Sequence, residues 1–248
     1  MFYLSYNLLK SPMFLLQPYR TLCLIKLRNF TLFYMMMNRF YFFLLLSIPT
    51  VTGAQEAPSK PPIPVEVLIG NNRVFFQVVF NTPITAKLNY LSLNVARVDY
   101  KNKEVFNESL LINLATYPLS KTVSIAGGAQ LHSVRGLVPS AGFQFVKANP
   151  TWMVFALPLI SFLPDRAFEM ISFVEFKPKI DDKLRVYSRV QTMYSYSLTN
   201  EHHGRSFLQL RLGLSHKRMT YGVGVDYDYY GKDSFKYENY GAFLKLNL

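Results

Sequence analysis

The sequence is poor in three things. It has one cysteine, one tryptophan, and no Asp or Glu before Glu56 in 248 residues. A single cysteine excludes a disulfide framework and any multi-cysteine metal site. No clean apolar run of about 20 residues occurs, so no transmembrane helix is expected. The four histidines, His132, His202, His203 and His216, have no serine two residues on. Glu201-His202-His203 lacks a third spaced ligand, which makes it a poor metal site and a better solvated loop. No catalytic residue, metal or cofactor is assigned.

What is present is apolar and basic. Half the residues are hydrophobic, 16% are aromatic, and the net charge is +12. That apolar content excludes a disordered chain. The charge is uneven. Five bases (Lys10, Arg20, Lys26, Arg28 and Arg39) lie in the acid-free stretch. Within it, Met35 to Arg39 precedes an apolar run, Phe40 to Leu46, and the small-residue exit Val51-Thr52-Gly53-Ala54. A basic region, a short apolar core and small residues form a secretory signal over 35–54. Cleavage after Ala54 removes the lone Cys23 and lowers the net charge by five, from +12 to +7. Residues 1–34 make little sense as structure and are read as translation upstream of a true start at Met35, Met36 or Met37. Residues 55–64 form a Pro-rich, extended leader.

From Val65 the period becomes two. Val74, Phe76, Val78 and Phe80 alternate with Arg73, Phe75, Gln77 and Val79. Leu91, Leu93 and Val95 alternate with Ser92, Asn94 and Ala96, and Leu110, Ile112 and Leu114 follow. Val123, Ile125, Ala129 and Leu131 oppose Thr122, Ser124, Gly128 and Gln130. The pattern is cleanest at the end, where Leu208, Leu210, Leu212 and Leu214 oppose Gln209, Arg211, Gly213 and Ser215. Such alternation is a strand signal. Segments of about 9–11 residues match tilted strands crossing a bilayer. The apolar face is therefore expected outward, toward lipid, and the Gly-, Ser- and Gln-rich face inward. Tyr117, Trp152, Tyr194, Tyr196, Tyr227, Tyr229, Tyr230 and Tyr237 fall at segment ends, as interfacial girdles do.

Eleven segments run from Arg73 to Leu248, and Val65 to Ile69 makes a twelfth. The expectation is an all-β, closed antiparallel transmembrane β-barrel of about twelve strands over 65–248, with ten as the second choice. Tight turns at 117–121, 147–150, 179–182 and 215–218 are expected to alternate with longer links at 99–107, 195–205 and 230–236. Thr151 to Phe162, interrupted by Pro158, reads as either a bulged strand or a partly buried plug or register break.

The export signal, alternating segments and final amphipathic strand Tyr240 to Leu248 resemble the outer-membrane β-barrel proteins of Gram-negative bacteria. The Gly-Ala-Gln join and tyrosine-rich style are similar to small barrels of Bacteroidota. That group often ends in Phe, whereas this chain ends in Leu248. The resemblance implies residence in the cell outer membrane, with outer-membrane lipid and the barrel-assembly machinery as partners.

The inward set is Arg73, Gln77, Gln144, Glu169, Glu175, Arg185, Arg189, Gln191, Arg211, Asp226, Asp228 and Lys245. It is expected to line a narrow pore or a salt-bridged interior, with the ligand unknown. Asp226 and Asp228, an acid pair on one face, are expected to meet Arg185, Arg189 or Arg211. Lys121, Lys147, Lys177, Lys179, Lys183, Lys217 and Arg218 gather at the tight turns, which suits headgroup contact rather than nucleic acid. A barrel enzyme acting on lipid or peptide, and a soluble periplasmic β-protein, are the alternatives.

Overall fold

A computed structural model of the chain describes residues 62–102, 107–133, 135–162 and 165–248. The predicted upstream segment, the signal and most of the Pro-rich leader lie outside the described residues. Twelve strands follow in chain order: β1 (Pro64–Gly70), β2 (Arg73–Thr85), β3 (Leu88–Asp99), β4 (Glu108–Pro118), β5 (Val123–His132) and β6 (Gly136–Ala148), then β7 (Trp152–Ser161), β8 (Ala167–Phe176), β9 (Leu184–Ser197), β10 (His202–His216), β11 (Met219–Tyr230) and β12 (Phe235–Asn247).

Every strand pairs antiparallel with its sequence neighbours, and β1 also pairs with β12, from Pro64 opposite Asn247 to Gly70 opposite Gly241. The sheet is therefore a closed barrel with no free edge. Closure matters physically because an unpaired row of N–H and C=O groups is untenable in hydrocarbon. Twelve strands match the first of the two expected numbers.

Loop lengths do not alternate as expected. The link between β9 and β10 shrinks to 198–201, and that between β11 and β12 to 231–234. The polar residues placed there belong to the strands: β9 runs 14 residues and β10 runs 15. Period-two hydrophobicity stops where the strand leaves its apolar surroundings, but backbone pairing continues.

Thr151 to Phe162 is neither bulge nor plug. β7 keeps one register against β6 on both sides of Pro158, with the ladder interrupted between Leu159 and Ala156. Pro158 lacks the N–H that a ladder needs. Its carbonyl instead crowds Gly142, where a Cβ would sit 2.0 Å from Pro158 O. Glycine is required at 142 by this close approach. The opposed pair Gly213 and Gly222 does similar work between β10 and β11, since a Cβ on Gly222 would lie 2.5 Å from the Gly213 Cα.

The outer surface is apolar around most of the wall. Leu137, Ile69, Val223 and Leu212 are all more than half exposed. Outward aromatics mark two levels. Trp152 stacks near Phe176 (4.2 Å between centroids) at the end carrying the chain termini, and Tyr227 meets Tyr240 edge-on at the other. Tyr230 and Tyr237 depart from the expected girdle, because their register places them inside the barrel.

β3 and β4 reverse the expected facing. Leu91, Leu93, Val95, Ile112 and Leu114 point inward and are buried, while Ser92, Asn94 and Asn113 take the outward face. The outward amides and hydroxyls bond one another, with Asn94 Oδ1 left without a partner among the described residues: Tyr90 Oη and Ser92 Oγ donate to Asn113 Oδ1 at 2.5 and 3.0 Å, and Asn94 Nδ2 donates to Ser92 Oγ at 3.0 Å. Ser92 is covered by its neighbours, and internal pairing lowers the cost of placing these polar groups on the lipid side.

Candidate functional site: the barrel interior

The interior is filled by side chains of two kinds. From β3 to β8 the inward residues are mostly apolar. Leu93, Ile112, Leu114, Phe155, Leu157, Leu159, Ile171 and Phe173 join one buried cluster, which Leu68, Phe75, Phe207 and Phe243 extend from the other wall. From β9 through β12 to β2 the inward residues are mostly polar, and most of the interior charges sit here.

The charged wall is arranged in layers. Near the end away from the termini, Asp228 accepts hydrogen bonds from Arg73 and from Arg205 Nη2 (2.5 Å). Arg205 Nη1 also pairs with Glu108 at 2.5 Å, and Arg97 lies 3.6 Å from the same carboxylate. Tyr237 donates to Asp99. β4 and β10 are diametrically opposite in the strand order, so the Glu108–Arg205 pair spans the lumen. Arg97 also rests over the Phe75 and Phe207 rings, 5.3 and 5.1 Å from their centroids. Such cation–π contact suits a guanidinium that has lost water.

At mid-height Arg189 Nη2 and Arg211 Nε both donate to Glu66 Oε1, at 2.7 and 2.8 Å. Arg211 Nη1 donates to Asp226 Oδ1 at 2.7 Å. Gln77 and Gln191 exchange amide hydrogen bonds between β2 and β9, at 3.1 and 3.4 Å. Gly224 makes this layer possible, since a Cβ there would strike Leu68 Cδ1 at 2.4 Å and Arg211 Cδ at 2.9 Å. Toward the termini, Lys245 Nζ and the Tyr187 hydroxyl donate to Glu175 Oε1 at 2.6 and 2.8 Å, and Lys177 Nζ donates to Oε2 at 2.8 Å. On the far wall, Gln130 donates to Ser140 Oγ (2.9 Å) and Glu169 (2.5 Å), and Arg135 also pairs with Glu169.

The structure buries eleven of the twelve sequence-predicted inward residues: Arg73, Gln77, Gln144, Glu169, Glu175, Arg189, Gln191, Arg211, Asp226, Asp228 and Lys245. Arg185 is the exception. It sits at the rim, where its Nη1 donates to the Pro150 and Lys177 carbonyls at 3.0 and 3.4 Å. Of the three arginines expected at the acid pair, only Arg211 arrives; Arg73 and Arg205 take Asp228. Both acids are thus neutralised by guanidinium. His203 is likewise engaged, with Nδ1 on the Gly231 carbonyl (2.8 Å) and Nε2 on Ser206 Oγ (3.1 Å).

Sequence reasoning missed Glu66, Arg97, Asp99, Glu108 and Arg205. Arg97 and Asp99 share parity with Leu93 and Val95. Two charges on that face mark it as inward, and the signal was available. Arg205 and Glu108 lay in or beside stretches read as loops.

Outside the spanning strands, the Asp181 carboxylate caps the turn before β9. It accepts from the Lys183 and Leu184 amides at 2.7 and 2.8 Å, which hold its pKa below the ordinary value.

An apolar belt, aromatic levels at both ends and a closed antiparallel ladder decide the architecture. The chain is an outer-membrane-type β-barrel. Among solved structures, it is similar to the NanC porin, with TM-score 0.49 and 12% identity over 76% of this chain and 100% of that one. The KdgM porin gives TM-score 0.45 and 10% identity over 75% and 98%. OccK11 (OpdR) of Pseudomonas aeruginosa gives 0.37 and 12% over 72% and 65%. No protein-family profile matches the chain, and no curated protein matches it.

Proposed function

We propose that the protein is a non-enzymatic outer-membrane barrel whose lumen is closed at rest by its own side chains. The observation that carries this is the crossing of the lumen at two heights, by Glu108–Arg205 and by Gln77–Gln191. Eight-stranded barrels are filled by side chains, and those of 16–18 strands hold water. This twelve-stranded barrel joins the first group because the apolar cluster and the charge layers fill it from both walls. Both signs are interleaved and paired at each height, so the charges do not form the one-signed ring that an ion-selective channel uses.

The apolar exterior supports outer-membrane lipid as its surroundings and the barrel-assembly machinery as the route into it. The tyrosine-rich exterior and the Gly-Ala-Gln join at 53–55 support a place among the small barrels of Bacteroidota.

Planar-bilayer recording tests the closure. The wild-type protein is expected to give no steady conductance at high salt. The double variant Gln77→Ala/Arg205→Ala is expected to give resolvable current steps. Steady conductance from the wild type would overturn the closed reading and leave a narrow pore.

A further inference from the structure

A cavity of about 330 Å3 opens at the end of the barrel that holds the chain termini. That volume falls within the range of about 300–1,000 Å3 typical of small-molecule sites. Its walls differ in chemistry. One is apolar, formed by Val79, Leu91, Val146, Met153, Phe155 and Phe173. The Phe155 and Phe173 rings stack there with centroids 4.8 Å apart. The other wall carries Lys177, Arg189 and Lys245 against Glu66 and Glu175. Three cations face two carboxylates, which leaves one positive charge over.

Two details locate where a ligand head would sit. Arg189 is 96% buried and commits its Nη2 to Glu66, so it is not where a charged head enters. Lys177 stands at the mouth with 28% of its side chain exposed, paired with Glu175. The rim beyond is also basic: Lys87, Lys121, Lys147, Lys179, Lys183 and Lys217 lie at or beside the turns of this end. A positive rim around a low-dielectric recess concentrates anions.

We propose that this cavity binds an amphiphilic monoanion, a carboxylate carrying a short hydrocarbon or aryl body. The carboxylate neutralises the excess charge by meeting Lys177 at the mouth. The body lies against the stacked phenylalanines, where transfer from water is favourable at about 25 cal/mol per Å2 buried. A sugar acid would set most of its hydroxyls against the six apolar side chains, with the amides of Gln77, Asn81 and Gln144 partnering only some of them. An alkylammonium would add to a lining already positive. The inference rests on the lumen being closed above the cavity, by Gln77–Gln191 and the Glu66 layer.

Titration calorimetry of the full chain in lipid nanodiscs, with empty nanodiscs subtracted, tests it. Octanoate is expected to bind saturably at pH 7, at least tenfold tighter than octylammonium or gluconate. Val146→Trp, which fills the cavity, is expected to abolish binding, and Lys177→Met at the exposed mouth is expected to weaken it about fivefold. A heat-dependent gel shift verifies that each variant is folded. Octanoate heats equal to those of empty nanodiscs would overturn the proposal. So would gluconate binding as tightly as octanoate, or folded Val146→Trp and Lys177→Met both binding like wild type. Octanoate binding to a protein that also conducts would retain this site while rejecting the closed lumen, so the two readings fail separately.

Discussion

Two regions of the barrel wall, β9–β12 and β3–β4, solve the same problem in opposite ways. In β9–β12 the outward face is apolar and the inward face is charged, the arrangement expected where one side meets lipid. In β3 and β4 the inward face is the apolar one, and outward Ser92, Asn94 and Asn113 pair among themselves. The difference shows that inward and outward are set by what faces a residue across the lumen, as well as by lipid. An apolar residue is at home on either face if it meets other apolar groups. A buried charge has only one acceptable place, beside its counter-charge.

The largest test of this contrast is Glu66→Leu. It leaves the buried Arg189 and Arg211 guanidiniums without their shared carboxylate, and breaking a buried pair from one side costs about 3–5 kcal/mol. Urea unfolding in lipid vesicles should show that loss. The triple variant Glu66→Leu/Arg189→Met/Arg211→Met should recover most of it, and failure to recover would mean the layer contributes more than mutual neutralisation.

On the opposite wall, Leu157→Ala opens a hole in the interior cluster and is expected to cost about 2–5 kcal/mol. Outward Val223→Ala, at a side chain 63% exposed, should cost about 1 kcal/mol or less. Equal losses from the two in the same unfolding assay would refute a packed interior. Asn113→Leu exchanges the outward hydrogen-bond hub for an apolar side chain. Lipid contact and lost bonding oppose each other, so stability should move by about 1 kcal/mol or less.

The smallest effect belongs to the turn. Asp181 has its folded pKa below the ordinary 3.8, through the Lys183 and Leu184 amides. Its contribution is therefore present above the unfolded value and lost as pH falls through the folded one. Wild type should exceed Asp181→Asn in stability near neutral pH, and the gap should close in strongly acidic solution. A gap that widens on acidification would contradict the capping role.

The strand count, the antiparallel order and the inward set on β9–β12 were legible because lipid on one side and charge on the other give clean alternation. Facing in β3 and β4 was not legible from apolar content alone. Both faces there hold residues that tolerate their surroundings, and only Arg97 and Asp99 betray the sense. Strand ends in β9 and β10 were hidden because polar residues continue the ladder beyond the apolar belt. Arg185 was misplaced because parity fixes a side chain's face but not its depth, and a long side chain at the rim turns to the turn carbonyls.

The sequence by itself determined an all-β barrel architecture of about twelve strands, since period-two patterning and separable segments are local properties of the chain. Which charge meets which was decided only by the tertiary structure. Glu108 with Arg205, and Glu66 with Arg189 and Arg211, are brought together by closure of the sheet and by how far its opposite walls approach. Those distances are set by side chains packing across the lumen from strands far apart in the chain, which no single strand encodes.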